Sequence, residues 1–331
     1  MMIYSLTILW AYIVDRLIGD PRWLPHPVVG MGKVISFLDK KLQQTIHKFQ
    51  WKNETHTNHI RLLGFLFPLC VVGGVYILTK FVVTGIASWN HWLGFALEIA
   101  LIATTIATKG LADAGNAIYQ ALISGDLSKA RQALSMVVGR DTKQLNESEI
   151  VRGGVETIAE NIVDAVTAPL FFAAIGGAPL AMAYRAVNTL DSMVGYRNER
   201  YLHLGWASAR LDDLVNWIPA RLTLVPMLLA LGILRLDPKL AWQVMKQDAH
   251  RHPSPNSGFP EAAMAGGLHI QLGGVNTYQG KVSRRALLGQ PLNERKPAHL
   301  LQAIQVLYVT TILYTGMISL FCLMIVWISS S

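Results

Sequence analysis

Three acidic residues stand at regular spacing immediately before a long apolar stretch. Glu156, Glu160 and Asp164 are four residues apart, and the apolar stretch 165–183 follows directly. If this segment is helical, the three carboxylates share one face, because each position drifts only about 40° from the last. An aspartate at the centre of a spanning helix costs about 2.5–3.5 kcal/mol. The pattern therefore indicates functional acids at the edge of a membrane segment.

The composition is typical of an integral membrane protein. Charged residues make up 15% of the chain, hydrophobic residues 52%, and the mean hydropathy is +0.34, whereas soluble domains carry about 25% charged residues. The net charge of +8 suits an anionic membrane surface or anionic substrates such as phosphates. No basic, aromatic-interleaved run favours nucleic acid as a partner. Cys70 and Cys322 lie in apolar runs and are expected to be inert buried thiols.

The alternation of apolar runs and basic loops predicts an all-α, polytopic membrane bundle with broken or re-entrant helices. The first apolar run is interpreted as a retained membrane helix rather than a signal peptide, since it lacks a basic leader. The basic loops are assigned to the cytoplasm. The whole chain, 1–331, is predicted to form a single membrane domain. It begins with a membrane helix 1–18, a cytoplasmic loop 19–61 and a membrane hairpin 62–107 whose two arms are joined by Thr84–Trp92. Cytoplasmic helices and the carboxylate helix 108–164 follow, then broken membrane helices 165–234 around a polar loop 188–213, a cytoplasmic Pro/Gly-rich region 235–299 and a membrane helix 300–328.

Two apolar segments carry helix-breaking residues and have basic flanks on both sides. Each is expected to dip into the membrane and return, because backbone breaks at membrane depth are tolerated only where they are buried or line a wet cavity. The alternative is a single kinked span. The expected breaks are Pro169, Gly176–Gly177 and Pro179 in the first segment, and Pro219, Arg221 and Pro226 in the second.

Local signals predict helix ends in the polar regions. A turn at Gly125 with Asp126 as the cap is expected to separate helices 111–123 and 127–138, and Asn146 or Ser148 is expected to cap the carboxylate helix. The prolines and glycines of 19–32 predict an ordered non-helical loop.

The acids are of the kind that bind Mg²⁺, which prefers one or two carboxylates together with substrate phosphates. Asn161 and Asn188 could orient them. The alternative is that these residues are helix caps and interhelical hydrogen-bonding groups. The predicted metal ligands are Glu156, Glu160, Asp164, Asp191, Asp212 and Asp213.

Several arginines could bind phosphate through bidentate forks, although an arginine in such a position is more often an anchor at the membrane surface. Arg221, inside an apolar stretch and close in sequence to Asp212 and Asp213, is predicted to be a buried partner. His26 and His252, each beside prolines, could act as acid or base or make a structural hydrogen bond. No standard nucleotide-binding fingerprint, G-x-S-x-G elbow or H-E-x-x-H motif is present.

The motifs taken together resemble the adenosylcobinamide-phosphate synthase family of cobalamin biosynthesis. The likeness covers nearly the whole chain in order. One small departure, expected to matter little, is Arg152-Gly153-Gly154 before the carboxylate helix. The segments that carry the resemblance are 19–21 with 26–28, 138–142, 155–161, 188–196, 209–216, 219–223 and 252–258.

The resemblance implies a multi-pass enzyme of the cell inner membrane with its active face in the cytoplasm. Such an enzyme uses ATP and Mg²⁺ to join (R)-1-amino-2-propanol phosphate, or a close amino-alcohol phosphate, to adenosylcobyric acid through an amide. Expected partners are the lipid bilayer, the corrinoid and other cobalamin-pathway enzymes. Expected roles are proton transfer for His26 or Asp20; catalysis with metal binding for Glu156, Glu160 and Asp164; and substrate or phosphate binding for Arg140, Asp141, Asn161, Asn188, Arg210, Arg221, Arg251, His252 and Asn256.

Two other functions are compatible with the residues. An intramembrane Mg-diphosphate transferase of the prenyltransferase kind is suggested by the repeated Asn-x-x-Asp pattern at Asn161 and Asn188. A transporter is suggested by broken helices and intramembrane acids, but it predicts two inverted halves, and no internal repeat is evident.

Overall fold

The computed structural model describes residues 2–20, 26–52, 55–278 and 280–330. The chain forms two compact units. Unit 1 comprises Met1–Ile106, Ala168–Asn216 and Ile318–Ser331, and unit 2 comprises Ala107–Thr167 and Trp217–Met317. Each unit is therefore assembled from segments that are distant in sequence.

The described residues are predominantly helical, which confirms the all-α class. The elements in chain order are α1 (Met2–Leu17), α2 (Pro27–Lys48), α3 (Thr57–Gly64), a π-helical turn (Pro68–Val72), α4 (Gly73–Trp89), α5 (His91–Ala103), α6 (Thr108–Ile123), α7 (Leu127–Ser135), α8 (Glu147–Ile162), a second π-helical turn (Val163–Thr167), α9 (Ala168–Val194), α10 (Trp206–Val215), α11 (Trp217–Ile233), α12 (Pro238–Asp248), a 3-10 turn (Ala249–Arg251), α13 (Gly258–Gly267), β1 (Leu272–Tyr278), β2 (Lys281–Leu288) and α14 (Ala298–Ser330).

Four helical segments are long and apolar enough to cross a membrane: Thr57–Trp89, His91–Ile123, Glu147–Val194 and Ala298–Ile325. The count rises to five if the bent pair α10 and α11 forms one span, all by length and composition and within the described residues. These spans confirm the prediction of a polytopic membrane protein. The first helix, α1, has only 16 residues and is shorter than these.

Unit 1 packs around a core supplied by α2, α3, α9 and the first π-helical turn. Ile35, Ile60, Phe67 and Leu190 are buried there. The predicted connection Thr84–Trp92 was wrong in its extent, because helix continues through Trp89 and restarts at His91. Asn90 alone makes the turn, and its side chain caps α5 by accepting from the amide of Leu93.

Unit 2 is organised around α8, which is buried along most of its length. Asn146 caps this helix by accepting from the amide of Glu149, and Asp126 caps α7 in the same way through Lys129. Both capping predictions are confirmed. Helix α7 ends at Ser135 rather than Val138.

The break predicted at Gly176–Gly177 is confirmed. Gly176 has φ −148° and ψ 26°, and Gly177 has φ 63° and ψ −156°, so both lie outside the helical region within α9. The positive φ at Gly177 is a conformation that residues with a Cβ rarely adopt.

The breaks predicted in 214–234 were wrong. Helix α11 runs from Trp217 through Pro219, Arg221 and Pro226, and the interruption falls at Asn216. Pro219 is tolerated because it lies in the first helical turn, where its missing N–H has no intrahelical acceptor in any case.

Four further expectations differ from the structure. Helix α2 begins at Pro27, so 28–32 is helical, while residues 21–25 of the predicted loop lie outside the described residues. Positions 188–194 of the predicted polar loop belong to α9. The antiparallel hairpin of β1 and β2 was not predicted in 235–299. Cys70 is exposed, although Cys322 is buried as expected.

Candidate functional site

A cluster of charged side chains lies inside unit 2, around the carboxylates of α8. We call it the α8 polar cluster. Its members come from the loop after α7, from α8, from the loop between α12 and α13, from α13 and from the hairpin: Arg140, Arg152, Glu156, Glu160, His252, Ser257, Glu261, Asn276 and Arg285.

Glu156 anchors one end of the cluster through a buried ion pair. Its Oε2 lies 2.5 Å from Nη2 of Arg140, and the two side chains are 5% and 6% exposed. The amide of Gly273 donates to the other oxygen, Oε1, at 2.8 Å, and Nη1 of Arg152 lies 3.5 Å from the same oxygen. Both carboxylate oxygens are therefore engaged by protein donors.

Arg152 ties α8 to the hairpin. Its guanidinium donates to the carbonyl of Gly273, to the carbonyl of Val275 at 2.9 Å and to Oδ1 of Asn276 at 3.0 Å. The same Oδ1 accepts from Arg140 at 2.5 Å. This side chain satisfies buried backbone carbonyls that would otherwise lack partners, a role that the sequence did not indicate.

Glu160 contacts the loop between α12 and α13. Oγ of Ser257 donates to its Oε1 at 3.1 Å, and Ser257 also contacts Oγ of Ser254 at 3.2 Å. This contact joins the second acid of the predicted stripe to the Pro-rich segment around His252.

His252 and Glu261 form a second buried pair. Nε2 of His252 lies 3.5 Å from Oε1 of Glu261, with the side chains 5% and 2% exposed. The other ring nitrogen, Nδ1, lies 3.1 Å from the amide and 3.3 Å from the carbonyl oxygen of Ser254. The ring orientation is thus fixed from both sides.

The surroundings of this pair disfavour charge. Burial, with the nearby charge of Arg285, lowers the pKa of His252. Burial and the negative charges of Glu160 and Glu156 raise the pKa of Glu261 well above its usual range. Both shifts favour a neutral imidazole beside a protonated carboxyl.

Arg221 contacts the same loop from α11. Its Nη1 donates to the carbonyl of Trp217 at 2.7 Å and to Oδ1 of Asn256 at 3.4 Å. The guanidinium also lies over the rings of Trp217 and Phe259, at 4.4 Å and 4.6 Å from their centroids. Within the described part of the chain Arg221 forms no ion pair, so the observed contacts do not support the prediction of an aspartate partner.

Other predicted residues in unit 2 contact the hairpin turn, a backbone carbonyl or a nearby acid. Asp141 Oδ2 accepts from the amide of Gly280 at 2.9 Å and so holds the hairpin turn. The side-chain amide of Asn161 donates to the carbonyl of Thr157. Arg251 pairs with Asp248 at 2.9 Å and is 56% exposed.

The remaining predicted residues lie in unit 1. His26 caps α2 by accepting from the amide of Val28, and its Nε2 is 3.2 Å from Asp20. Three contacts of these residues are local: Arg210 with Asp213 at 3.1 Å, Asp212 with Asn216 at 3.1 Å, and Asn188 with Arg185 at 3.4 Å.

The predicted magnesium ligands are divided between the units. Glu156, Glu160 and Asp164 belong to unit 2, and Asp191, Asp212 and Asp213 to unit 1. Among the described residues, no group of three or more His, Cys, Asp or Glu side chains could hold a metal ion. For Glu156 the contacts indicate a structural role, and the metal assignment as a whole stays a prediction.

Sequence reasoning did not predict five members of the cluster as site residues: Arg152, Ser257, Glu261, Asn276 and Arg285. It also missed Tyr278 beside the cluster, whose hydroxyl accepts from Arg285 at 3.1 Å. Glu261 follows Pro260 in the segment that contains His252, and a carboxylate among Gly and Ala residues was the available signal. Arg285 had none, because its position depends on the unpredicted hairpin.

Comparison with known proteins identifies the family. The model described as CobD/Cbib protein matches residues 8–307. The chain belongs to the CobD/Cbib family. This assignment confirms the resemblance that the sequence motifs carried.

Curated members of the CobD/Cbib family match over most of their length. The cobalamin biosynthesis protein CobD of Halalkalibacterium halodurans is 48% identical over 287 residues, 86% of each chain. The protein of the same name from Geobacter metallireducens is 51% identical over 286 residues, again 86% of each chain. The one from Yersinia enterocolitica is 39% identical over 318 residues, 96% of this chain and 98% of the relative. No solved structure matches.

Proposed function

We propose that this CobD/Cbib protein acts in cobalamin biosynthesis as an ATP- and Mg²⁺-dependent amide ligase. In this reaction the amino group of (R)-1-amino-2-propanol phosphate, or of a close amino-alcohol phosphate, joins the free propionate carboxyl of adenosylcobyric acid. The product is adenosylcobinamide phosphate. Relatives named as cobalamin biosynthesis proteins support the pathway.

One observation carries the proposal: four of the family-like segments meet in unit 2. The Arg140–Glu156 pair joins segment 138–142 to 155–161. The contact of Glu160 with Ser257 joins 155–161 to 252–258. The contact of Arg221 with Asn256 joins 219–223 to 252–258. Segments distant in sequence thus supply acids, an arginine and a histidine to one place, as phosphate and proton chemistry requires.

Among the four arginines proposed to bind phosphate, Arg221 is the strongest candidate. Arg140, Arg210 and Arg251 each pair with a carboxylate. Arg221 is held by a carbonyl and an amide and is sandwiched by two aromatic rings. A guanidinium that is oriented but not neutralised can still bind a phosphate bidentately.

Mg²⁺ fits the chain only as a companion of ATP. The described residues offer no cage of three acids, and Mg²⁺ usually reaches such enzymes on substrate phosphates with one or two protein carboxylates. Glu160 is the carboxylate of unit 2 that we assign to this contact, since Glu156 is occupied by Arg140 and Gly273. No step of the reaction is assigned to the metal.

The ligation divides into two balanced steps. A carboxylate oxygen of the corrinoid attacks the γ-phosphorus of ATP, and ADP leaves. The amine then attacks the acyl carbon, inorganic phosphate leaves, and the nitrogen loses a proton. We assign the proton transfer to His252 with Glu261, because a neutral buried imidazole can accept it. His26 with Asp20 is the second candidate pair.

The test is ligation by the purified full chain in detergent. Adenosylcobyric acid, aminopropanol phosphate, ATP and Mg²⁺ are incubated with the protein, and the corrinoid is analysed by mass spectrometry. We expect a product heavier by the amide-linked aminopropanol phosphate, formed only with ATP and Mg²⁺. A preparation that binds adenosylcobyric acid but gives no such product with any amino-alcohol phosphate would overturn the proposal.

Two variants test the assigned roles. Arg221→Gln should raise the KM for the amino-alcohol phosphate or ATP, whereas Arg210→Gln, which removes an exposed pair, should not. If His252 accepts the proton, kcat should rise with pH as the imidazole loses its own proton. His252→Asn should remove this rise, whereas His26→Asn should keep the pH profile of the wild type. The reverse result would assign the proton transfer to His26.

A further inference from the structure

Two adjoining concavities in unit 2 lie outside the α8 polar cluster. One is an apolar groove of about 770 Å³ along α11, and the other is a polar pocket of about 420 Å³ beyond the end of that helix. Pro238 and Lys239 line both. The groove is otherwise lined by Val225, Leu228, Leu229, Gly232, Ile233 and Trp242.

The polar pocket presents cations that no carboxylate neutralises. Arg235 and Lys239 line it, are exposed and form no ion pair among the residues described. The one acid of the lining, Asp237, is already committed. Its Oδ1 accepts from the amide of Leu240 at 2.9 Å, and its Oδ2 lies 3.1 Å from Nε2 of His269. The pocket therefore suits an anion.

Arg235 and His269 occupy equivalent positions at the ends of two helices. After α11, the amide of Arg235 donates to the carbonyl of Gly232, and the next amide reaches back to Leu231. After α13, the amide of His269 donates to the carbonyl of Gly266, and the next amide reaches back to Ala265 in the same way. This is the Schellman arrangement, in which the residue with positive φ is usually glycine.

Neither position holds glycine here. Arg235 has φ +56° and His269 has φ +59°, a left-handed conformation that a residue with a Cβ rarely adopts. Both side chains line the same pocket. Strained backbone positions often lie at functional sites. Two such positions that place nitrogen-containing side chains in one pocket therefore indicate a binding role for the pocket.

The pocket lies where apolar helices end. Helix α11 belongs to a candidate span and ends at Ile233, just before Arg235. Helix α14, another candidate span, begins at Ala298, and His299 and Gln302 of its first turns line the pocket. Ends of spanning segments lie at the level of lipid headgroups, where Trp side chains such as Trp242 are also favoured.

We propose that the groove and the pocket together bind one anionic phospholipid. One acyl chain lies in the groove along α11, and the phosphate is held by Arg235 and Lys239, while Asp237 is kept paired with His269. The shared lining at Pro238 and Lys239 connects the two parts of the ligand. This site is separate from the ligation proposed above and does not depend on it.

Native mass spectrometry of the full chain in detergent tests the proposal. Phosphatidylglycerol and phosphatidylcholine with the same acyl chains are titrated separately. We expect one phosphatidylglycerol adduct that survives activation energies at which phosphatidylcholine adducts dissociate.

Two variants locate that adduct. Arg235→Gly removes the guanidinium but places the preferred residue at positive φ, so the fold is retained while affinity for phosphatidylglycerol falls about tenfold. Gly232→Leu fills the groove, and its Cβ meets only Cγ of Pro238, at 3.8 Å, so it too should weaken the adduct without a backbone clash. Lys129→Gln, which changes an exposed cation on α7, is the matched control and should bind like the wild type.

Three results would overturn the proposal. Equal retention of both lipids by the wild type would mean unselective annular lipid. An unchanged phosphatidylglycerol adduct in Arg235→Gly and Gly232→Leu would place the lipid elsewhere. If glycerol phosphate displaced the adduct with an affinity equal to that of phosphatidylglycerol, the acyl chain would contribute nothing, and the site would be one for free phosphate rather than for a lipid.

Discussion

Glu156 offers the sharpest test of whether the carboxylates of α8 are structural or metal-binding. In Glu156→Gln the side chain keeps its shape and can still accept from the amide of Gly273. It can no longer neutralise Arg140, whose side chain is 6% exposed and lies 2.5 Å from the carboxylate. Removing one partner of a buried pair costs about 3–5 kcal/mol, because the other charge is left uncompensated. We expect the variant to lose a large part of its stability.

The assay is the thermal midpoint of the detergent-solubilised protein, measured by size-exclusion chromatography after heating, together with ligation at a temperature below both midpoints. Glu147→Gln is the control, since this exposed acid in the first turn of the same helix contributes only about 0.3–1 kcal/mol through the helix dipole. The double variant Glu156→Gln, Arg140→Met should recover part of the loss, because the charge of Arg140 is then removed and only Arg152, 3.5 Å from the carboxylate in the wild type, is left without it. A midpoint like that of the wild type, combined with a raised Mg²⁺ requirement, would refute the structural role and establish Glu156 as a metal ligand.

Three further outcomes are expected, two from the same thermal assay and one from tryptic cleavage. Because burial and neighbouring carboxylates raise the pKa of Glu261, folding takes up a proton at this carboxyl, and its contribution to stability should fall as pH rises above about 4.3, the unfolded value. Glu261→Gln removes that contribution, so the difference between its thermal midpoint and that of the wild type should change with pH. Parallel curves would contradict a protonated Glu261. Gly154→Ala should lower the midpoint, at a cost of about 1–3 kcal/mol, because its Cβ would lie 2.5 Å from buried Leu300, whereas Gly110→Ala meets nothing within 4 Å and should be neutral or stabilising. Asp141→Ala should lose about 1 kcal/mol of hydrogen bonding to the hairpin turn and speed tryptic cleavage there; unchanged cleavage would mean that the turn is held by other contacts.

Local sequence signals predicted local structure well. The caps at Asp126 and Asn146 follow from a side chain that accepts from an amide three positions later. The break at Gly176–Gly177 follows from a backbone conformation that glycine tolerates best. Proline was a poorer guide. Pro219 and Pro226 lie within a continuous α11, because the effect of proline depends on its place in the helix and on neighbouring groups that the sequence does not show.

Long-range partners could not be predicted in this way. Arg152 and Asn276 are 124 residues apart and meet only because β1 lies against α8. The hairpin itself was missed because Gly273, Gly274 and Gly280, all with positive φ, make its sequence resemble a loop. Arg285 and Tyr278 were missed for the same reason, since their place in the site is set by the register of the two strands.

The acidic stripe of α8 shows why a pattern of charges does not by itself define a metal site. A buried carboxylate needs compensation, and a cation supplied by another part of the chain satisfies it as well as a metal does. Glu156 obtains this from Arg140, a residue 16 positions earlier, and from a hairpin amide 117 positions later. Glu160 instead meets only the hydroxyl of Ser257 among its resolved hydrogen bonds, and its charge is felt by both His252 and Glu261. The stripe is therefore not uniform: its first acid is held by buried partners, and its second, Glu160, is the one that we propose meets the substrate.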